Sequence, residues 1–503
     1  MKDSSNKTIV KNTAFLYFRM MLTMIISLYT SRVVLQILGV DDFGIYQAVG
    51  GIVGFLSFIN SALSTGSSRF LTFELGTGNL EKLNRVFSTT LTIHIVIALI
   101  IIIIAETVGL WFLYNKMIIP SDRMNAAVFT FHISILTAVF TLTQVPYNAS
   151  IIAHEKMSIF AYMSIVEVAA KLLIVYLLEI GNVDKLKLYA TLLFIVQISL
   201  MVFYRYYCGK HFKETVYHFV FDKTIFKSIA SFSGWSLFAN SAIALNNQGI
   251  LLLLNIFFSP SIVAARAISI QANMAAAQFV NNFRTATVPQ IVKKYAVGDF
   301  YASKQLLLSS TKYSYYLMFL LCFPICLLAN PILELWLGIV PEYTTIFLQI
   351  IIVQSLFQVF DTSFYTALYA KGQLKENALI SPMLLFLGFP VVFLLFKLGH
   401  SPIVFSWISL STYIILGLIV KPLLIIKIVN YQWSDIWSVF KPCIFVTLAA
   451  LPIPLFCSYM LDIDSLWLFL LMLFITIFSS LLSIYLIGID GETKYKLRQY
   501  VNF

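Results

Sequence analysis

The stretch Leu38-Gly39-Val40-Asp41-Asp42-Phe43-Gly44-Ile45-Tyr46-Gln47 aligns without a gap with a later stretch, Phe258-Ser259-Pro260-Ser261-Ile262-Val263-Ala264-Ala265-Arg266-Ala267. Identity is weak, so the match rests on spacing. The same shift places the polar turn at 75–79 over the turn at 295–299, and each turn leads into a segment rich in serine and threonine. Two similar halves of this kind predict a membrane transporter whose substrate site lies between the halves, near the bilayer midplane.

Composition excludes an ordinary soluble domain. Of the 503 residues, 59% are hydrophobic and only 11% are charged, far from the balance of soluble proteins. Because one membrane span needs about 20 apolar residues, the chain has room for fourteen spans. They are predicted at 13–38, 45–67, 87–110, 126–146, 159–180, 187–207, 230–257, 261–283, 313–330, 343–370, 376–396, 402–426, 440–460 and 465–488.

The predicted fold is an all-α integral membrane protein of about fourteen transmembrane helices. Two six-helix lobes related by the repeat occupy 1–207 and 230–430, and a cytoplasmic linker at 208–229 joins them. The segment 431–503 adds a pair of helices and a cytoplasmic tail.

The net charge of +11 does not indicate nucleic-acid binding here. The distribution of the basic residues along the chain instead indicates how the protein is oriented in the membrane. With a cytoplasmic N-terminus, the inside segments hold 25 lysines and arginines and the outside turns hold 5. Such an excess on one side is the positive-inside signal, so both termini are predicted to be cytoplasmic. The first apolar stretch is too long for a cleavable signal peptide and contains Arg19, so we expect it to remain as a membrane helix.

Polar residues form stripes along two predicted spans. In the tenth span, Gln354, Gln358, Asp361 and Tyr365 follow the spacing i, i+4, i+7, i+11, which places them on one helix face. The fourth span has a polar stripe with the same spacing, and nearly the same number of residues separates the two stripes as separates the two aligned stretches. The residues of this stripe are Thr137, Thr141, Gln144 and Asn148. Because polar groups are costly in hydrocarbon, these faces are predicted to line a cavity. The alternative is hydrogen bonding between helices by small polar residues.

Further polar faces occur on the first, seventh and eighth spans. Together with the two stripes they predict a cavity with many hydrogen-bond donors and some positive charge, which suits a sugar bearing phosphates. The predicted cavity residues are Arg19, Thr23, Thr137, Thr141, Gln144, Asn148, Asn240, Asn247, Arg266, Asn273, Gln354 and Gln358. Arg19 and Arg266 lie close enough to span ends for their side chains to reach the membrane surface instead of the cavity. For Arg284, extension to the membrane surface is the favoured interpretation.

Three titratable residues are candidates for ion coupling. As a lone carboxylate, Asp361 would have a raised pKa and could exchange a proton or bind Na⁺; the alternative is a pair with a basic residue on another helix. Glu167 stands four residues before Lys171, a spacing that favours a mutually neutralising pair. His94 is a possible proton relay or a hydrogen-bonded structural residue. No metal site and no cofactor are predicted.

Several of these features resemble the bacterial polysaccharide-transport flippases of the O-antigen type, in the multidrug/oligosaccharidyl-lipid/polysaccharide exporter superfamily. They are the basic N-terminus with a long first span, the turn at 38–46, the polar loop at 74–85, and the segment 149–157 after a proline-bearing fourth span. The resemblance covers essentially the whole chain, although its motifs are loose patterns. It implies a two-lobed bundle in the bacterial cytoplasmic membrane that moves undecaprenyl-diphosphate-linked oligosaccharide to the outer leaflet by alternating access. The implied partners are that lipid-linked oligosaccharide, membrane lipids, a proton or Na⁺, and the polymerase and glycosyltransferases of the same glycan.

The related lipid II flippases imply a role for two arginines. They carry cavity-facing arginines in the first and eighth helices, and Arg19 and Arg266 occupy the corresponding spans here. They carry a further one in the second helix, whereas the second span of this chain has none before Arg69. That departure argues against lipid II itself as the substrate.

Two alternatives belong to other functional classes. A multidrug antiporter would share the fold, but the first span lacks the ion-binding carboxylate expected of one. A membrane-embedded glycosyltransferase or polymerase would need a substantial external loop, and the external connections are short. The chain has no Walker-type glycine loop, so energy is expected from an ion gradient, the membrane potential or substrate supply.

The predicted topology can be tested with reporter fusions. Fusions at positions 41, 260 and 463 should report the outside, and fusions at 78, 215, 298 and 495 should report the inside, because the basic segments are retained in the cytoplasm. An outside signal at position 215 would contradict the repeat and the lobe order built on it.

Overall fold

The computed structural model describes residues 2–55, 57–154, 156–180, 183–219, 222–227, 237, 241–242, 244–373, 375–461, 465–491 and 494, with most side chains from residue 21 onward. Every regular element in these ranges is helical. Helices satisfy their own backbone hydrogen bonds, and this is what a chain in hydrocarbon requires. The prediction of an all-α membrane protein is confirmed.

The chain divides into two compact units, Met1–Ala264 and Ala265–Phe503. The boundary falls inside one helix, and the linker at 208–229 belongs to the N-terminal unit. The lobe boundaries drawn from the sequence stay a prediction.

Up to His211, short connections separate the helices of the N-terminal unit, and a π-helical turn at Ala105–Gly109 joins the third to the fourth. A second π turn at Leu245–Gly249 precedes the eighth. The helices are α1 (Lys2–Phe55), α2 (Ser57–Thr77), α3 (Leu80–Ile104), α4 (Leu110–Asn115), α5 (Met124–Ala153), α6 (Met157–Glu179), α7 (Lys185–His211) and α8 (Ile250–Phe257).

In the C-terminal unit, two π turns, Leu416–Val420 and Ile484–Gly488, continue the helices that precede them. The helices are α9 (Pro260–Ala296, entered from the N-terminal unit), α10 (Phe300–Leu327), α11 (Ala329–Leu337), α12 (Thr344–Lys371), α13 (Lys375–Lys397), α14 (Val404–Ile415), α15 (Lys421–Val429), α16 (Trp433–Ala450), α17 (Pro452–Met460) and α18 (Leu466–Ser483).

Within the described residues, 10 helical segments are long and apolar enough to cross a membrane. The shorter or less apolar helices α2, α6 and α9, with 21, 23 and 37 residues, also reach the length of about 20 residues that a span needs. The prediction of fourteen spans is therefore compatible with the structure, although the count is not fixed by it.

The internal repeat reappears in the backbone. Gly78 and Gly298, which the shift of the aligned stretches relates to each other, both adopt a positive φ, of 73° and 83°, which glycine does without steric cost. The next residue in each half caps the following helix: Asn79 accepts from Lys82 N at 3.0 Å and Asp299 accepts from Ala302 N at 3.0 Å. The spacing found in the sequence thus corresponds to the same local structure in both halves.

Three connections of the N-terminal unit meet at Arg123, on the side predicted to be external. Its guanidinium binds both carboxylate oxygens of Asp42, at 2.7 and 2.5 Å, and reaches Asp184 at 2.9 Å. Asp184 also caps α7 by accepting from the backbone of Leu186 and Lys187. Partial burial alone would raise the pKa of Asp184, but Arg123 and these amides hold it below its ordinary value. The charge network links α1, close to its bend at Gly39, to the first residues of α5 and α7.

Gly44 lies where α1 crosses the start of α9, and its lack of a side chain permits the contact. A Cβ built on Gly44 would lie 2.5 Å from the carbonyl carbon of Pro260 and still closer to its oxygen, whereas a Cβ on Gly50 would meet nothing within 4 Å. We expect Gly44→Ala to destabilise the protein by about 3 kcal/mol, because backbone cannot yield as a side chain can. Thermal unfolding in detergent measures this, with Gly50→Ala in the same helix as the matched control. Equal melting temperatures for the two variants would contradict the contact.

Candidate functional site

A buried ion pair lies at the centre of the C-terminal unit. Lys421 Nζ is 3.1 Å from Asp361 Oδ1, and the two side chains are 3% and 17% exposed. Lys421 also donates to Asn377 Oδ1, and its ammonium lies 5.5 Å from the ring centre of Tyr365. Asp361 is therefore not a lone carboxylate. The alternative reading of the sequence, a pair with a basic residue on another helix, is what the structure shows.

A close approach of two elements places these charges side by side. At the π turn Leu416–Val420, a Cβ on Gly417 would lie 2.5 Å from the carbonyl oxygen of Phe357 on α12. Gly417 precedes Lys421 by four residues, and Phe357 precedes Asp361 by four. The glycine lets the helices touch one turn before the pair, so that the lysine reaches the carboxylate. Local π turns of this kind are frequent at functional sites.

Two arginines add positive charge to this unit. Arg284 interacts electrostatically with Asp361, and it donates to the carbonyl of Thr362 at 2.5 Å. Arg284 is thus half-buried with a hydrogen-bond partner inside the unit, and its reach to the membrane surface stays a prediction. Arg266 is 5% exposed, with its guanidinium 4.7 Å from the ring centre of Phe405, a favourable cation–π geometry. Among the described residues, Lys421 and Arg284 thus both interact with the Asp361 carboxylate, and Arg266 is a further buried cation of the same unit.

Other predicted residues of the C-terminal unit lie along α12 and α9. Asn273 accepts a hydrogen bond from Ser355 at 2.8 Å, which joins the two helices. Gln354 is buried and Gln358 is half-buried, and the carbonyl of Gln358 accepts from Thr362 at 2.8 Å. The polar stripe of the tenth span is therefore buried or half-buried in the unit, and its predicted place in a cavity stays a prediction.

The N-terminal unit contains a cavity of about 250 Å³. Thr137 and Thr141 line it, together with Tyr46, Asn60 and a mostly apolar wall. Asn60 Oδ1 is buried without a hydrogen-bond partner among the described residues. Since one water needs about 30 Å³, the cavity has room for several waters or a small polar group. Two residues of the predicted stripe thus line an actual cavity.

The other half of the same stripe forms a chain of amides. Gln197 Nε2 donates to Gln144 Oε1 at 3.1 Å, and Gln144 Nε2 donates to Asn148 Oδ1 at 3.4 Å. Gln197 lies on α7 and was not predicted. Its place in a span of apolar residues was the signal that could have identified it.

The remaining predicted residues are placed as follows. Lys171 Nζ contacts Glu167 Oε1 at 2.7 Å, which confirms the neutralising pair. His94 is buried, with Nδ1 2.8 Å from the carbonyl of Thr90, an arrangement that suits a structural histidine. Thr23 lies on α1. The side chains of Arg19, Asn240 and Asn247 lie outside the described residues.

Lys421 is the functional candidate that the sequence analysis missed. In the charge count it is one of the 25 lysines and arginines of the inside segments, at the cytoplasmic end of the predicted span 402–426. The signal was present in the sequence on either side of it, because Lys421 interrupts an apolar run from Ile414 to Ile426 and stands close to the middle of that run. A lysine so placed needs a partner inside the protein.

Comparisons with known proteins agree on the fold. No protein-family model matches the chain. The structure resembles the lipid II flippase MurJ in an inward closed conformation, with a TM-score of 0.69 and 12% identity over 93% of this chain and 97% of that one. It also resembles an inward-facing multidrug resistance MATE family transporter of the MOP superfamily, with a TM-score of 0.67 and 12% identity over 80% and 95%.

A curated protein matches at the level of sequence. It is the uncharacterized membrane protein EpsK of Bacillus subtilis (strain 168), which is 24% identical over 353 residues, or 66% of this chain. The match spans 65% of that relative, just under two thirds of its length. These likenesses establish that the chain has the fold of the transporters of the MOP superfamily.

We expect removal of one charge of the buried pair to cost more than removal of both. Asp361→Asn should lower the free energy of unfolding by about 3 kcal/mol, because it leaves the ammonium of Lys421 buried without its counter-charge. Asp361→Asn combined with Lys421→Gln should recover much of that loss. Thermal unfolding in detergent gives the comparison.

Lys375→Gln, at the first residue of α13, is the control for loss of a positive charge away from the pair. If the double variant melted well below Asp361→Asn, the pair would not be the source of the stability.

Proposed function

We propose that the protein is a flippase that moves a polyprenyl-diphosphate-linked oligosaccharide, an O-antigen or capsule type of repeat unit, from the inner to the outer leaflet of the bacterial cytoplasmic membrane by alternating access. A diphosphate and several sugars cannot cross hydrocarbon unaided, since each unsatisfied polar group costs several kcal/mol. The polyprenyl tail can remain in lipid. The protein must supply a polar path for the headgroup only.

The observation that carries this proposal is the excess of positive charge enclosed in the C-terminal unit. Among the described residues, Lys421 and Arg284 both interact with the Asp361 carboxylate, and Arg266 is a further buried cation whose guanidinium lies against Phe405. Charges at membrane depth are costly and mark transport pathways. An excess of cations favours an anionic substrate group, and the planar guanidinium suits phosphate oxygens.

Neutral polar groups would take the sugars. Thr137 and Thr141 at the cavity of the N-terminal unit, and the amides of Gln144, Asn148, Asn273, Gln354 and Gln358, offer donors and acceptors that match hydroxyl groups. Thr23, Asn240 and Asn247 are proposed to extend this surface. Membrane lipids would surround the protein, and the polymerase and glycosyltransferases of the same glycan are its proposed partners.

A multidrug antiporter is the second candidate. The observation that favours it is the likeness to a MATE family transporter. Such a likeness at 12% identity supports the fold and not the substrate. The surplus of buried cations argues against the cationic drugs that a carboxylate-lined cavity would bind, and the compared structures give no support for an enzyme.

Asp361 is the proposed coupling residue, with a proton or Na⁺ as the ion. A cation that binds to the carboxylate must compete with Lys421, so coupling would require the pair to open during the cycle. Transport by the Asp361→Asn and Lys421→Gln double variant should lose its dependence on the ion gradient while membrane insertion is retained. A gradient response equal to that of the native protein would remove Asp361 from the mechanism.

Arg19 provides the test of the flippase function, because it lies on the first span and corresponds to a cavity arginine of the related flippases. In a strain that relies on this protein, Arg19→Ala should abolish surface glycan. Arg19→Lys should restore only part of it, since an ammonium keeps the charge but loses the fork that can bind two phosphate oxygens. Surface glycan is measured relative to the amount of protein in the membrane.

Lys11→Ala, which removes a positive charge two turns earlier in the same helix, is the matched control and should leave glycan export intact. If Arg19→Lys were fully active and Arg19→Ala only mildly impaired, Arg19 would be a residue that snorkels to the interface. Normal surface glycan in the deletion strain, together with increased drug sensitivity, would overturn the flippase proposal in favour of the antiporter.

A further inference from the structure

The cavity of the N-terminal unit lies between five helices and has an uncharged lining. Residues of α1, α2, α3, α5 and α7 surround its volume of about 250 Å³, and none of the described residues that line it is charged. A charged ligand group in this cavity would lose its hydration without gaining a counter-charge, which is costly. The lining therefore favours a neutral ligand.

Three hydroxyl groups of α5 line the cavity as hydrogen-bond acceptors. Ser134, Thr137 and Thr141 each donate their own hydroxyl hydrogen to the backbone carbonyl four residues earlier, at 2.8 Å in each case. The hydrogen of each group is thus engaged, and lone pairs of its oxygen remain. A ligand that donates O–H hydrogen bonds can use these lone pairs, whereas a phosphate or a carboxylate, which only accepts, cannot.

An aromatic ring and an amide group complete the polar part of the lining. The ring of Tyr46 on α1 packs edge-on against Tyr189, with ring centres 4.8 Å apart and planes at 62°. Asn60 on α2 adds an amide, which can both donate and accept. The rest of the wall is mostly apolar. A ring compound with apolar C–H groups and several hydroxyl groups matches this combination, and a sugar is such a compound.

The size of the cavity depends on a glycine of α1. Gly50 and Gly54 both line the cavity. A Cβ on Gly54 would lie 3.4 Å from the amide carbon of Gln248, whereas a Cβ on Gly50 would meet no atom within 4 Å. A larger side chain at position 50 would therefore take up space that a ligand needs. Because the volume is slightly below the roughly 300 Å³ at which sites for drug-sized ligands begin, the cavity suits one sugar ring and not several.

We propose that this cavity is a subsite for one neutral sugar residue of the transported glycan, and that Gly50 sets the size of the residue it accepts. The hydroxyl oxygens of Thr137 and Thr141 accept from sugar hydroxyls, and Tyr46 contacts the apolar face of the ring. An acidic sugar is excluded, because its carboxylate would find no cation in the lining and no free hydroxyl donor on α5. The assignment to a transported glycan rests on the proposed flippase function, whereas the binding of a free neutral sugar does not.

The test is saturation-transfer difference NMR on the purified full-length protein in a detergent without a sugar headgroup. The neutral probes are glucose, galactose, mannose and N-acetylglucosamine, and the acidic probes are glucuronate and galacturonate. At least one neutral sugar should bind. Both acidic sugars should bind at least about tenfold more weakly than that sugar, because their carboxylate is not compensated in the cavity.

Two substitutions connect this binding to the cavity. Gly50→Leu should weaken the binding of the neutral sugar at least about tenfold by filling the space, and Thr137→Val should weaken it about fivefold by removing one acceptor. Gly50→Leu should melt at or above the temperature of the native protein, because its side chain fills free space. Gly76→Leu is the matched control and should bind as the native protein does, since Gly76 is an exposed glycine of α2 where a Cβ would also meet no atom within 4 Å.

Equal binding of neutral and acidic sugars, native affinity in Gly50→Leu, or no binding of any neutral sugar would overturn the subsite. If Gly50→Leu did not fold, Thr137→Val would decide, because native affinity in that variant also contradicts the proposal. The flippase function fails separately. Gly50-dependent sugar binding together with normal surface glycan in the deletion strain would leave the subsite without that function, and loss of surface glycan without sugar binding would leave the function without the subsite.

Discussion

The cost of a charge in hydrocarbon governs the arrangement of the C-terminal unit. Lys421 is almost completely enclosed and depends on Asp361 for its counter-charge. Helix α12 and the segment that contains α14 and α15 must therefore approach within reach of an ion pair, and Gly417 makes that approach possible by leaving room for the backbone of Phe357. A buried pair of this kind need not stabilise the fold relative to apolar residues, but loss of one partner is severe. Its retention is better explained by function than by stability.

The repeat supplies the same scaffold twice and allows the charges to differ. The glycine turns at Gly78 and Gly298, with their capping residues, preserve one local structure in both halves. The polar stripes preserve spacing, yet the carboxylate of one half is an amide in the other. Because backbone structure depends on turns and helical periodicity, whereas electrostatics depends on single side chains, duplicated lobes can diverge in ligand chemistry without losing their fold.

The sequence was sufficient for the class of fold, the repeat and the polar stripes, because hydropathy and helical spacing are local properties. It was insufficient for partners that meet only after packing. Asp361 and Lys421 are distant in the sequence and lie on different helices, so no periodicity links them, and Lys421 was read as a span-end charge. Arg205 likewise lies near the end of the predicted span 187–207, and only the packing of the helices shows that its guanidinium lies against Tyr147. Contacts between helices are decided by crossing geometry, which a single sequence does not specify.

Paired and unpaired cations have different consequences for a transporter. A site that bound a diphosphate with the full strength of three free cations would hold it too tightly to release it, and passage requires binding that is favourable but reversible. In the C-terminal unit, Lys421 is already paired with Asp361. An incoming anion can therefore bind Lys421 only by competing with an internal carboxylate. Binding that must displace Asp361 from Lys421 is weak and exchangeable, as passage through the protein requires.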